Sequence, residues 1–157
     1  MLTDFYIAFS PVCFSLLGLW LVVIQINATG WLRDKLNWRR AYGVALHFAL
    51  PGMMSLLALI EPQNPDVWRA SFAIISLSGA AVLALFGRIP GHKVPDHLAQ
   101  ALAILLYVTI GVLAIVPQHM LRVEAVLLIV LVFLGFNVAL RLMYTVGPPS
   151  APAASTG

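Results

Sequence analysis

The segment Ala41–Ile60, "AYGVALHFALPGMMSLLALI", decides the fold class of this chain. It is a nearly unbroken apolar run of about 20 residues, the length that an α-helix needs to cross the hydrocarbon core of a bilayer. The run nevertheless contains a titratable side chain, His47, followed four residues later by the helix-weakening pair Pro51-Gly52. It therefore predicts a membrane-spanning helix with an internal irregularity.

The composition extends this prediction to the whole chain. Of the 157 residues, 61% are hydrophobic and only 10% are charged, whereas a soluble domain carries about 25% charged residues. These few charged residues cannot cover a surface that faces water. A large part of the surface must therefore face lipid. The net charge of +3 does not indicate nucleic-acid binding, because the basic residues fall in short turns between apolar runs. The single cysteine, Cys13, lies in an apolar run, which favours a packing role.

Five apolar runs are long enough to span a bilayer, so we predict an all-α polytopic membrane protein with five transmembrane helices. The predicted spans cover residues 5–26, 41–60, 68–87, 97–116 and 123–146. The first run is too long for a signal peptide and follows no Lys or Arg. The spans form one domain, residues 1–146. The tail 147–157, "GPPSAPAASTG", has a composition typical of disordered segments.

The distribution of Lys and Arg predicts the orientation of these spans. Two basic residues, Arg69 and Arg122, lie on one side of the bilayer. Seven lie on the other side, namely Arg33, Lys35, Arg39, Arg40, Arg88, Lys93 and Arg141. Because basic loops remain in the cytoplasm, we expect the N-terminus outside and the C-terminus inside. The expected location is a cell membrane, of the bacterial cytoplasmic kind, crossed several times.

The basic segment between the first two spans, "NATGWLRDKLNWRR", has two interpretations. A short helix in the inner interface would bury its apolar side chains and hold its basic ones near lipid headgroups. Alternatively, the segment is a basic loop that only sets the topology. The candidate headgroup contacts are Trp31, Arg33, Lys35, Arg39 and Arg40.

The proline in the second span predicts a polar irregularity inside the membrane. Because Pro51 has no N–H, the carbonyl of His47 loses its helical partner. In hydrocarbon an unpaired carbonyl is costly unless a neighbouring group, a water or a hydroxyl such as that of Ser55 donates to it. We therefore predict a kink that turns these groups inward. An imidazole at this depth indicates a functional site, or alternatively a structural one bonded to a single neighbour.

The fifth span contributes a second polar pair, Asn137 and Arg141, which lie four residues apart on one helical face. In one interpretation Arg141 extends to the interface while Asn137 bonds across helices. In the other, both line a shared cavity in the cytoplasmic half of the membrane. The candidate cavity residues are His47, Pro51, Ser55, Asn137, Arg141 and Gln25.

Small and charged residues mark two further features. Small residues at helical spacing predict packing faces, with Ser76, Ala80 and Ala84 on the third span and Gly135 and Ala139 on the fifth. The fifth span is otherwise large and apolar, so we expect it to be more exposed to lipid. The charged residues near the outer face are expected to form exposed ion pairs, which contribute little stability. They are Glu61, Asp66, Arg69, Arg122 and Glu124.

No catalytic residues, metal site or cofactor are predicted. The spans contain no Ser/His/Asp set and no carboxylate pair, and the chain contains no HExxH, P-loop or GxGxxG motif. Two functions remain from different classes: an oligomeric channel or carrier for a small solute or ion, and a non-catalytic scaffold or accessory subunit of a larger complex. A membrane enzyme acting on lipid or quinone is less favoured. The expected partners are the bilayer and either further copies of the chain or another membrane protein, with no nucleic acid.

Overall fold

The computed structural model describes residues 2–28, 35–60, 64–86, 94–116 and 121–145, and over these residues the chain folds into α-helices. We number the helices α1 (Leu2–Ile26), α2 (Lys35–Ile60), α3 (Pro65–Phe86), α4 (Val94–Ile115) and α5 (Leu121–Thr145). All five are long and apolar enough to cross a membrane. The prediction of an all-helical chain with five helices of membrane-spanning length and hydropathy is therefore confirmed over these residues. The predicted tail, 147–157, lies outside the described residues.

The helices begin a few residues before the predicted spans, because polar residues continue them beyond the apolar core. At α3, the side-chain oxygen of Asn64 accepts a hydrogen bond of 3.2 Å from the backbone N–H of Asp66, which caps the helix. Pro65 occupies the first helical position, where a missing N–H is harmless. At α2, Lys, Leu and Arg are good helix formers, so the helix includes Arg39 and Arg40 from the basic segment.

Of the candidate headgroup contacts, Arg39 is exposed and Arg40 is half-buried on the first turns of α2. Trp31 and Arg33 lie outside the described residues, as does the side chain of Lys35. The short interfacial helix therefore stays a prediction.

Contacts between helix ends show that consecutive helices run antiparallel. Near the end of α1, the indole N–H of Trp20 donates to the carbonyl of Ala41 at the start of α2, over 2.8 Å. At the start of α4, the amide of Gln100 donates to the carbonyl of Leu83 near the end of α3. Helix α2 packs against α3, α3 against α4, α4 against α5 and α5 against α2, while α1 packs on α2 and α5. The bundle is thus a ring of four helices with α1 on its outside.

Buried apolar side chains form two clusters along this bundle. One lies inside the ring and includes Met54, Phe72, Ile110, Leu128 and Leu131. The other lies between α1, α2 and α5 and includes Cys13, Trp20, Val44, Phe48 and Val132. Of the five helices, α2 has the largest fraction of buried residues in its apolar segment, and α1 has the smallest. The expectation that the fifth span is more exposed to lipid than the third and fourth is wrong, because α5 closes the ring against α2 and α4.

Two glycines mark close helix crossings. A Cβ atom at Gly135 of α5 would lie 2.5 Å from the Cβ of His47, and one at Gly111 of α4 would lie 2.7 Å from the hydroxyl of Ser76. Both positions therefore need glycine for the backbones to approach. Among the other candidate packing residues, Ala80 and Ala139 are buried, whereas Ala84 is exposed.

Candidate functional site

The imidazole of His47 is the first buried polar group with unused hydrogen-bonding capacity. Its side chain is only 5% exposed, and its Nδ1 lies 2.7 Å from the carbonyl oxygen of Gly43, one turn earlier on α2. Because a carbonyl only accepts, Nδ1 carries the proton in this contact. The other nitrogen, Nε2, then offers a lone pair, and it has no hydrogen-bond partner within the structure.

Two neighbouring helices hold this imidazole in place. On α5, Gly135 lies against its Cβ and Cγ atoms. On α4, the ring of Tyr107 lies with its centroid 6.1 Å from the imidazole, tilted by 60°. The Tyr107 hydroxyl donates to the carbonyl of Leu46 over 3.3 Å, so it is not directed at Nε2. We call His47, Tyr107 and Gly135 the imidazole centre.

Pro51 and Ser55 lie buried on the same helix, one and two turns beyond His47. Helix α2 continues through Pro51 without a break. The Ser55 hydroxyl donates to the carbonyl of Pro51 over 2.8 Å. It is therefore used within its own turn, and does not serve the His47 carbonyl that the proline leaves without an amide partner.

The structure does not bring the other three candidate cavity residues to His47. Gln25 and Arg141 are exposed, and the amide of Asn137 donates to the carbonyl of Phe133 on its own helix over 2.8 Å. The reason is helical geometry. Gly135 faces His47, and a residue two positions later points about 200° away around the helix. Asn137 therefore lies on the side of α5 away from the imidazole.

A second group of buried polar side chains lies at the opposite end of α2, where α1, α3 and α5 begin. Glu124 is 2% exposed and Tyr6 is 4% exposed. One carboxylate oxygen of Glu124 and the hydroxyl of Tyr6 have no hydrogen-bond partner. Electrostatic interactions connect Glu124 with Tyr6 and with the guanidinium of Arg69, which donates to the carbonyl of Val116. We call Tyr6, Arg69 and Glu124 the carboxylate centre.

Sequence reasoning missed this second centre. It assigned Glu124 and Arg69 to exposed ion pairs because both lie at the edges of their spans, and it did not consider Tyr6. A signal was nevertheless present, since Glu124 precedes Leu128 by four residues and Leu131 by seven, which places all three on one helical face. Leu128 and Leu131 are fully buried. Glu61 lies outside the described residues.

An open depression adjoins the carboxylate centre on the outer surface of α3 and α4. Its volume is about 200 Å³, and its lining consists of Asp66, Arg69, Ala70, Ala73, Ala114 and Ile115. Arg69 therefore borders the depression on one side and interacts with Glu124 on the other.

An apolar layer separates the two centres. Gly135 follows Glu124 by eleven positions on α5, which corresponds to about 16 Å along the helix. The interior at this level is filled by side chains with no measurable exposure, namely Met54, Phe72, Ile110, Leu128 and Leu131. The bundle thus carries one polar centre in each half, with tightly packed hydrocarbon between them.

Within the described segments, no three His, Cys, Asp or Glu side chains come together in an arrangement that could hold a metal ion. Comparison with known proteins found no matching family, no matching curated protein and no matching solved structure. The functional argument therefore rests on the chemistry of the two polar centres.

Proposed function

We propose that this protein is a membrane carrier for a small ion or polar solute, and that His47 contacts the cargo. One observation carries the proposal: Nε2 of His47 is buried at membrane depth and has no hydrogen-bond partner. An unsatisfied buried polar atom costs about 1–3 kcal/mol. Ionisable residues inside membrane bundles are therefore functional candidates. A bound cargo molecule, or the water that it displaces, supplies the missing donor.

The chemistry of the imidazole centre favours a cargo that donates hydrogen bonds. Nε2 offers a lone pair, and Pro51 leaves the carbonyl of His47 without an amide donor. Both groups are acceptors. A small cation or a neutral molecule with N–H or O–H groups satisfies them, whereas an anion does not.

A carrier accounts for the packed interior better than an open channel does. A channel needs a continuous passage, and the layer between the two centres is filled by apolar side chains. A carrier instead exposes its site to each side in turn as helices move. A bend of α2 at Pro51, which the sequence predicts, provides a place for such a movement. The orientation with the N-terminus outside then puts the imidazole centre in the cytoplasmic half.

The second candidate function is a non-catalytic scaffold or accessory subunit, and the same packing favours it. The ring of helices is closed by tight glycine crossings, and nothing in a scaffold needs to move. In that case the imidazole only bonds the Gly43 carbonyl. Association with a second copy or with another membrane protein is compatible with both candidates.

Flux measurements on liposomes containing the purified protein distinguish these functions. The probes are protons, ammonium and potassium, each followed by a dye or electrode. We expect flux of at least one probe above that of protein-free liposomes. His47→Ala should reduce it about tenfold or more, the effect of losing roughly 1.4 kcal/mol of stabilisation.

The matched control is His97→Ala, because His97 is an exposed histidine at the start of α4. Circular dichroism and gel filtration must show that both variants are folded. A folded wild-type protein that moves none of the three probes contradicts the carrier and supports the accessory subunit. If His47→Ala leaves the flux unchanged, the imidazole does not contact the transported molecule.

A further inference from the structure

The carboxylate of Glu124 is directed into the bundle rather than toward water. Glu124 lies on the first turns of α5, on the face that continues to the fully buried Leu128 and Leu131. Its own side chain is 2% exposed, and one of its oxygens has no partner. A buried carboxylate is retained in proteins when a cation, a proton or several hydrogen bonds compensate it. A compensating group is therefore expected at this oxygen.

Neither Tyr6 nor Arg69, the two described side chains that interact with Glu124, forms a hydrogen bond with this oxygen. Tyr6 as a whole is 4% exposed, and its hydroxyl makes no hydrogen bond. Tyr6 nevertheless interacts electrostatically with Glu124. A hydrogen of the Arg69 guanidinium is used by the carbonyl of Val116. Two oxygens from different helices, one carboxylate and one phenolic, are thus buried at the same end of the bundle, and neither has a hydrogen-bond partner.

The charged groups around the site are few. Apart from Arg69, the described charged side chains on the first turns of α1, α3 and α5 are exposed. They are Asp4, Asp66 and Arg122. Helices α2 and α4 carry no titratable side chain in the segments described here, 53–60 and 108–116. Among the described residues at this end, Glu124 is therefore the one buried carboxylate, and Arg69 is the cation with which it interacts.

We propose that Glu124 and Tyr6 form a binding site for a small monovalent cation. The carboxylate compensates the charge of the cation, and the phenolic oxygen is a second hard ligand. A single carboxylate beside Arg69 suits one positive charge and not two, because divalent ions gather more oxygen ligands.

Arg69 is placed to control entry to this site. Its guanidinium compensates Glu124 when the site is empty, and it also lines the depression of about 200 Å³ at the surface. A cation that binds Glu124 replaces this interaction and leaves Arg69 to the Val116 carbonyl. The role of the site in a transport cycle rests on the proposed function. In that cycle the cation enters or leaves the protein at this site, about 16 Å along the bundle from His47.

Thermal unfolding of the purified protein in detergent tests cation binding without any transport. Sodium, potassium and ammonium are added in turn at constant ionic strength, with N-methylglucamine as the inert cation, and pH is varied in a separate series. A ligand that binds only the folded state raises its melting temperature. We expect one of these cations to raise the melting temperature of the wild type by about 2–4 °C.

Glu124→Gln should abolish this shift, and Tyr6→Phe should weaken the apparent affinity about three- to tenfold. Asp66→Asn, which removes an exposed carboxylate at the same end, should leave the shift unchanged. If Glu124→Gln does not fold, Tyr6→Phe carries the test. A salt response at fixed pH that Glu124→Gln abolishes supports the site. A wild-type–variant difference that appears only in the pH series overturns it, because any buried carboxyl group produces that difference.

Equal responses of the wild type, Glu124→Gln and Tyr6→Phe in every series overturn the proposal. Because the measurement records binding alone, this failure is distinguishable from a failure of the carrier, which is recorded as flux that does not depend on His47.

Discussion

The imidazole centre and the carboxylate centre are both buried, yet they differ in how the fold satisfies them. At the imidazole centre, His47 bonds the carbonyl of Gly43 and Tyr107 bonds that of Leu46, so Nε2 of His47 is its one side-chain atom without a partner. At the carboxylate centre, Tyr6 and Glu124 both have a polar atom without a partner. The first centre thus leaves one side-chain atom without a hydrogen-bond partner, whereas the second leaves two, on two different helices.

This difference shows that position along a membrane span and burial in the bundle are separate quantities. Glu124 lies near the beginning of its helix and is 2% exposed. Asn137 lies well inside the same helix, yet it faces outward and bonds its own backbone. The helical face, and not the distance from the end of the span, decides which polar group meets the interior.

The largest expected effect concerns the crossing on which the imidazole centre depends. Gly135→Val should destabilise the protein by about 3 kcal/mol or more, because overpacking a close crossing forces the backbones apart, and a Cβ atom there lies 2.5 Å from that of His47. The matched control is Gly18→Val on α1, since a Cβ atom at Gly18 meets nothing within 4 Å. Unfolding in detergent measures both. Similar stabilities of the two variants would show that α2 and α5 do not cross at Gly135.

A smaller effect on the free energy of unfolding is expected when either tyrosine is replaced by phenylalanine, and its direction should differ between the two centres. Tyr107→Phe should destabilise the protein by about 1 kcal/mol, because it removes a hydrogen bond to a buried carbonyl. Tyr6→Phe should be neutral or stabilising by up to about 1 kcal/mol in buffer without small cations, since it removes a buried hydroxyl that has no partner. The measurement is unfolding of both variants in N-methylglucamine buffer. Equal losses would remove the contrast between the centres.

The smallest effect is expected for Asn137→Leu. Its amide bonds only the carbonyl of Phe133 on the same helix, and surface substitutions of this kind change stability by about 0.5 kcal/mol or less. Flux in liposomes should also be unchanged. A loss of flux comparable to that of His47→Ala would place Asn137 in the pathway and would require a different rotation of α5.

The fold class was predictable because it depends on one physical quantity, the length of apolar runs in a chain that has too few charges for water. The helix ends were less predictable. Apolar runs mark the hydrocarbon core, whereas the helices continue through polar residues such as Arg39 at α2 and Asp66 at α3. Local capping chemistry, as at Asn64, decides where they begin.

The candidate site was predictable only in part, for a related reason. His47 could be singled out because a titratable ring and a proline are unusual in an apolar run, and the structure places it in the interior. The face of α5 could not be chosen by hydropathy, because large apolar residues surround that helix on every side. Gly135 marks the interior face, and Asn137 lies away from it. Glu124 was missed because residues at a span edge were taken to be exposed.

The most direct test of the account is the flux of liposomes that contain the wild type, His47→Leu or His97→Leu at equal protein density. Leucine fills the space of the imidazole without a lone pair, and the lost bond to the Gly43 carbonyl should cost only about 1 kcal/mol of stability. The account predicts that His47→Leu is folded and has lost about tenfold or more of the wild-type flux, while His97→Leu retains it. Equal flux from all three proteins would contradict the central claim that His47 contacts the cargo.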